Sequence, residues 1–405
     1  MGHLNSYESH TDLSRALEVL VQQIHKAFEQ QRGPEPVVMQ GDCFADIAVK
    51  QVQASELAPI LKDAGELGWL ASGSRRPEAS ITENDFGQPT ITLHRDALFR
   101  IEIIQWTSAM AGKHHHGGAG AFCPIRGDRL NVEYDLELRD TVNETVKTAI
   151  MKPRRFNLLN CGSTNPIYQR LRSTHALFFL EELCTTLTVR MVDYDRSFPA
   201  FAFIGRELAY AEQNNGLDAM QRLETLQNIE LYSQKNYSDA LVRTVAFIPI
   251  SQALRILVQL YSAGKNVEAA VDIVARRLAV DMGALIDALE IEKRQRTLAL
   301  AREFFTERKH RDVLAVLWAA DSLAEAKAAW HEVSGCALDN GTFAHHLNEM
   351  LRMAFVEEPP LQNRPLGFEP DVATEMFIEL ACRGERHLNV PYQLRSSAIF
   401  QSIIR

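Results

Sequence analysis

The most informative part of the chain is Ile101–Asp128, IEIIQWTSAMAGKHHHGGAGAFCPIRGD. It begins with an apolar, strand-like run that ends at Trp106, continues into the histidines 114–116, and reaches Gly127 eleven residues after the last of them. Because residues two apart in a strand point to the same face, His114 and His116 are predicted to face one cavity while His115 faces away. Two imidazoles on one face indicate a metal site.

The surrounding sequence predicts a sheet. Between residues 90 and 203, short apolar or alternating runs are separated by Gly, Pro and Asn. Strands at this spacing are typical of an antiparallel β-barrel or sandwich, and such barrels bind small ligands in their mouths. A third histidine, His175, begins the run HALFFLEELCTTLTVRM and could face the same cavity from across the sheet.

Helical patterns flank this region on both sides. Apolar residues spaced by three and four predict an amphipathic helix over about 11–30 and a second over Ser55–Trp69, followed by a turn-rich loop, while a helical pattern fills most of 206–355. The prediction is therefore an α+β protein with an N-terminal helical segment (1–80), an antiparallel barrel (81–205), a large all-helical domain (206–358) and a Pro-rich linker with a C-terminal tail (359–405).

Composition narrows the function classes. The net charge is -9 with a sequence pI near 5.8, which disfavours a protein built mainly to bind nucleic acid. The N-terminal residues lack a basic segment followed by an apolar one, and no stretch holds about 18 apolar residues without a charge, so we expect a cytoplasmic protein without a membrane partner. The six cysteines form no CxxC pair, which suits thiols kept reduced.

The three histidines allow two interpretations. Neutral imidazoles suit Fe, Zn, Ni and Cu, and a facial set of three leaves coordination positions open for substrate and dioxygen. Short histidine runs in Gly-rich loops also occur as solvated turns, and a single histidine is often an ordinary hydrogen-bonded residue. The H-x-H pair, the glycine spacing and the third histidine together favour metal binding by His114, His116 and His175, with His115 in place of one neighbour left open.

The spacing of His114, His116 and Gly127 resembles the first motif of the cupin superfamily, in which two histidines, often a glutamate, and a glycine turn share one hairpin. Gly120 stands where the glutamate would fall, so the resemblance points to the three-histidine cysteine dioxygenase and thiol dioxygenase branch. The segment IIQWTSAMAGKHHH is similar to the tryptophan loop of that branch. The resemblance covers about a quarter of the chain, Ile91 to Asp195, and implies a cupin-type barrel with Fe(II), or alternatively Zn, Ni or Mn, and O2 as co-substrate.

Three further residues are candidates for the chemistry. The resemblance implies an arginine that binds the substrate carboxylate, and Arg95 stands where it could correspond. Arg190 occupies the strand position at which those enzymes carry a tyrosine, and it faces inward if it shares the side of Thr186. Tyr168 could line the mouth and donate a proton. The alternatives are surface charges at strand ends for the arginines and a packed loop aromatic for the tyrosine.

The predicted function is an iron(II)-dependent, cupin-type dioxygenase that oxidises a small polar metabolite, such as a carboxylate-bearing thiol or amine, with the helical domain covering the barrel mouth. One alternative is a ligand-sensing transcriptional regulator, because residues 266–296 have a helix-turn-helix spacing, although residues 207–358 hold 16 Lys and Arg against 22 Asp and Glu. The other is a non-catalytic partner-binding protein, since the apolar stripes need burial either internally or in a homodimer.

Overall fold

The structure, a computed structural model, describes residues 5–63, 90–106, 108–143, 145–192, 200–211 and 216–336, with a few positions between 342 and 350. Three predicted segments lie outside the described residues. They are the end of the second predicted helix from residue 64, the loop that precedes residue 90, and the C-terminal linker and tail.

The N-terminal segment is helical, as predicted. Helix α1 spans Asn5–Gln31, α2 spans Gly41–Ala54, and the described residues 57–63 form α3 within the second predicted helix. Sequence analysis did not predict α2, although Phe44, Ile47 and Ala48 are spaced for one apolar helix face and are buried.

The described residues of the central region form eleven strands. They are β1 Thr90–Arg95, β2 Phe99–Trp106, β3 Met110–His115, β4 Gly120–Arg126, β5 Arg129–Asn143, β6 Val146–Leu159, β7 Asn165–Ile167, β8 Thr174–Phe179, β9 Cys184–Met191, β10 Phe201–Ile204 and β11 Leu208–Ala211. The last strand extends the sheet region beyond the predicted boundary at residue 205.

The strands build a five-stranded sheet and a closed barrel. The sheet has the order β1-β2-β9-β4-β7, and the barrel has the order β10-β11-β6-β5-β8-β3, closed because β3 pairs with both β8 and β10. All of these pairings are antiparallel. The α+β class with an antiparallel β-barrel between two helical regions is confirmed.

Strand alternation separates the inner face from the outer one. On β8, Leu177 and Phe179 belong to an inner apolar cluster that also holds residues of the five-stranded sheet, whereas Ala176 and Phe178 belong to an outer cluster shared with the C-terminal helices. Inside, the Trp106 Nε1 atom donates a hydrogen bond to a β9 threonine oxygen, Thr186 Oγ1, at 2.7 Å.

The C-terminal helices are α4 Gly216–Tyr232, α5 Gln234–Phe247, α6 Ile250–Ser262, α7 Glu268–Leu278, α8 Met282–Ala301, α9 Arg308–Ala319 and α10 Leu323–Ser334. Helices α8 to α10 pack on the outer face of the barrel sheet, where the ring of Trp318 lies 5.5 Å from that of Phe178. Helices α1 to α3 cover the outer face of the five-stranded sheet. Among the described residues, no helix combines the length and apolar character needed to cross a bilayer.

Candidate metal centre

The three predicted histidines meet inside the barrel. His114, on β3, pairs directly with His175 on β8, so both side chains lie on the same face of this strand pair, and His116 follows the end of β3. The ring centroids lie 4.8 Å apart for His114 and His116, 4.8 Å for His114 and His175, and 5.1 Å for His116 and His175. One nitrogen of each ring lies within 4.8 Å of the other two, so the group could hold a metal ion.

His115 takes the opposite direction. Its ring packs against Phe201 at 5.4 Å and Phe203 at 6.4 Å on β10, and it is not part of the converging group. The alternation expected of residues 114 to 116 is therefore what the structure shows.

Hydrogen bonds orient two of the three rings. The Nδ1 atom of His114 lies 2.7 Å from the carbonyl oxygen of Gly112, and that of His175 lies 2.9 Å from Asn131 Oδ1. Because these oxygens only accept, Nδ1 must carry the hydrogen in both rings, which leaves each Nε2 with a lone pair for a metal. The Nε2 atoms of His116 and His175 are 3.0 Å apart, a hydrogen-bond distance at which the lone pair on His175 Nε2 faces the ring of His116.

Burial keeps these imidazoles neutral. It lowers the pKa of His114 to about 4, with a smaller contribution in the same direction from the charge of Arg190. It also lowers the pKa of His116 and of His175 well below the usual value, and the neighbouring imidazoles reinforce the shift. Neutral imidazole is the form that binds a metal, so the three residues fit a first-row transition ion at neutral pH.

Residue 120, where the resemblance would place a glutamate ligand, is a glycine, and the surrounding backbone leaves no room for a side chain there. A Cβ atom on Gly120 would lie 1.9 Å from the carbonyl oxygen of Val189 on the neighbouring strand β9. Any side chain here would push β4 and β9 apart, so this position cannot supply a carboxylate ligand.

A small polar cavity adjoins His116 and His175. Its volume is about 90 Å³, which is room for a few water molecules. Its lining includes Asn131, Glu133 and Arg154. The Glu133 carboxylate accepts hydrogen bonds from Arg154 Nη2 at 2.8 Å and from an amide nitrogen of β6, Asn157 Nδ2, at 3.0 Å. Single-sequence reasoning did not assign Asn131 or Arg154 to the site, because neither belongs to a local motif.

Tyr168 lines this cavity, as predicted, but its hydroxyl serves another contact. The hydroxyl donates to Asp46 Oδ1 on α2 at 2.9 Å, and the guanidinium of Arg172 lies 4.4 Å from the ring centroid. Burial raises the pKa of Tyr168, and the contact with Asp46 raises it further.

The two candidate arginines occupy different environments. Arg190 shares the β9 face of Thr186, so it points into the barrel, and its charge lowers the pKa of both His114 and His116. Its Nε atom is buried and has no hydrogen-bond partner among the described residues. Arg95 lies opposite Arg100 in the register of β1 and β2 and is exposed at the end of the edge strand β1, and neither candidate arginine is among the residues that line the cavity.

Helix α2 contacts residues at the cavity mouth. Asp42 on α2 pairs with Arg172, and the backbone N–H of Gln169 donates to the same carboxylate at 3.2 Å. In the part of the chain that the structure describes, α4 to α10 contribute no residue to the cavity lining. The prediction that the C-terminal helices cover the mouth is therefore not what these residues show.

Comparisons with known proteins add little to this geometry. No protein-family model matches the sequence, and no curated protein matches it. A solved structure described as "Crystal structures of DMSP lyases RdDddP and RnDddQII" matches with 13% identity and a TM-score of 0.24, over 46% of this chain and 93% of that one. The functional assignment therefore rests on the site.

Proposed function

We propose that the protein is a cupin-type, metal-dependent enzyme in which His114, His116 and His175 hold one first-row transition ion. The observation that carries the proposal is the convergence of three neutral imidazoles on one point beside a small polar cavity. The absence of space for a side chain at Gly120 supports the three-histidine version of the site.

The proposed reaction is the oxidation of a small carboxylate-bearing thiol or amine by dioxygen. Bound iron(II) would supply open coordination positions for the substrate and dioxygen, and the oxidised thiol or amine would be the net source of the electrons that dioxygen accepts. The chain's own residues would bind and orient the substrate, and a cavity of about 90 Å³ favours a small one.

Arg190 is the proposed anion-binding residue. A buried guanidinium with a donor that lacks a partner gains stability when a carboxylate is bound, because a fixed pair of N–H donors matches the two carboxylate oxygens. Glu133, which lines the cavity beside His116 and His175, offers an acceptor for a substrate ammonium group. Asn131 keeps His175 in the tautomer that leaves Nε2 free.

The test is oxygen consumption by iron-loaded protein with a panel of small amino and thiol carboxylates. We expect turnover of at least one of them, and we expect Arg190→Gln to raise KM by about tenfold or more, as loss of a charge-assisted hydrogen bond implies. Arg95→Gln is the matched control and should leave KM unchanged. A product formed without oxygen consumption would indicate a lyase or isomerase instead of a dioxygenase. No turnover of any substrate in the panel would contradict the proposal.

A further inference from the structure

A second group of metal-ligating side chains lies outside the barrel. His25 on α1 and His94 near the end of β1 both place Nε2 at 2.7 Å from one oxygen, Asp96 Oδ2. The three donor atoms lie within 4.8 Å of one another, and all three side chains are partly exposed. The group joins the N-terminal helix to the edge of the five-stranded sheet.

The carboxylate of Asp96 is oriented before any ion binds. Its other oxygen, Oδ1, accepts hydrogen bonds from the backbone N–H of Leu98 at 2.7 Å and of Phe99 at 2.9 Å, which turns Oδ2 toward both histidines. Both imidazoles also lie against the Phe99 ring, at centroid distances of 5.1 and 5.3 Å. Fixed outer contacts of this kind are typical of metal ligands.

A β-bulge turns His94 toward α1. The register of β1 against β2 shifts between Thr92 and His94, so that His94 pairs with Ile101 instead of the next residue along, Arg100. Ile101 belongs to the apolar cluster under the N-terminal helices, whereas an unbroken register would direct His94 into the barrel. The bulge therefore creates the contact between β1 and His25.

We propose that His25, His94 and Asp96 bind a divalent transition ion of the zinc class, with solvent in the fourth position, and that this ion fastens α1 to β1. Two imidazole nitrogens and one carboxylate oxygen are a known zinc donor set, with metal–ligand distances of about 2.0–2.2 Å. Tetrahedral ligands at those distances lie roughly 3.3 Å apart, so each imidazole needs to move from the carboxylate by only about 0.6 Å. The partial exposure of His25 leaves room for that shift.

The test counts metal sites on the full-length protein with Co²⁺ as the probe, because tetrahedral cobalt absorbs in the visible range. We expect the wild type to bind two equivalents, His25→Gln to bind one, and His175→Gln to bind one. In the His175→Gln background, adding Asp96→Asn or His25→Gln should weaken the remaining cobalt binding by at least tenfold. Adding His331→Gln, an exposed histidine on α10, should leave it unchanged.

The two sites can fail separately. If His25→Gln binds as much cobalt as the wild type, the second site is overturned and His25, Asp96 and His94 form a hydrogen-bonded group only. If instead His175→Gln binds as much as the wild type, the barrel site and the proposed function fail. Limited proteolysis gives an independent readout, since Zn²⁺ should protect α1 from cleavage in the wild type but not in His25→Gln, and equal cleavage in both would also overturn the second site.

Discussion

The two helical layers hold the β region in different ways. Helices α8 to α10 contact the closed sheet through buried charged groups as well as an apolar cluster, and this sheet carries His114 on β3 and His175 on β8. Helices α1 and α2 contact the five-stranded sheet through an apolar cluster, and their polar contacts are partly exposed.

The buried contacts are directed at the strands that carry the site. Lys113, the residue before His114, donates to Glu292 Oε1 at 3.0 Å and to Gln295 Oε1 at 2.6 Å on α8, and the side chains of Lys113 and Glu292 are 1% and 7% exposed. Next to α8, the guanidinium of Arg302 donates to the carbonyl oxygen at the end of β8, that of Phe179, at 3.1 Å. The C-terminal layer thus fixes the ligand strands.

The N-terminal layer adjoins the cavity mouth instead. The ion pair of Asp42 with Arg172 has side chains 42% and 62% exposed, a setting in which such pairs contribute little to stability. The comparison indicates that the two layers have different roles: one fixes the strands that carry His114 and His175, and the other contacts residues that line the cavity.

The largest expected effect is from Glu292→Ala. It leaves the Lys113 ammonium buried without its anion, so we expect a loss of about 3–5 kcal/mol in the free energy of unfolding, measured with denaturant. The double variant Lys113→Met/Glu292→Leu, which removes both charges, should recover most of that loss. Asp272→Ala, which breaks an exposed ion pair on α7, should cost about 0.5 kcal/mol or less. If Glu292→Ala and Asp272→Ala lowered the free energy of unfolding equally, the proposed role of the C-terminal layer would be contradicted.

A smaller effect is expected from Asn131→Ala. Without the Oδ1 acceptor, His175 can carry its hydrogen on either nitrogen, so the affinity for iron or zinc should fall by about 10- to 100-fold. Asn157→Ala is the matched control, because Asn157 contacts Glu133 and no histidine. A competition titration against a chelator measures both, and identical affinities in the two variants would show that the orientation of His175 does not depend on Asn131.

The smallest effect is expected from Asp42→Asn at the mouth. Because the ion pair with Arg172 is exposed, the free energy of unfolding should fall by less than about 1 kcal/mol. Urea unfolding measures this change alongside that of Glu292→Ala. A loss at Asp42 as large as that at Glu292 would remove the difference between the two layers.

How far the sequence predicts this protein depends on the range of the interactions involved. The period of two along β3 and the glycine spacing were enough to place His114 and His116 on one face and His115 on the other, since strand alternation is local. The same alternation puts Arg190 on the side of Thr186, but only the packing of the sheet shows that this side faces inward. Helix α2 has a local signal as well, since its buried residues Phe44, Ile47 and Ala48 have helical spacing.

Other features have no local signal. Lys113 and Glu292 are 179 residues apart in the chain, and nothing near either residue indicates the partner. His94 faces α1 only because of a bulge that depends on the pairing of β1 with β2. Arg95 was a candidate by analogy with a family pattern. Its exposure at a sheet edge depends on the order of the strands, which no single segment of the sequence determines.

The most direct test of the account is the metal content of freshly purified protein carrying His25→Gln, so that the proposed surface site does not contribute. We predict close to one equivalent of a first-row metal, lost on further substitution of His114, His116 or His175 by Gln and retained on substitution of His115, the adjacent histidine that faces away. Metal retained in all four variants, or lost equally with His115→Gln, would contradict the claim that these three imidazoles form one centre.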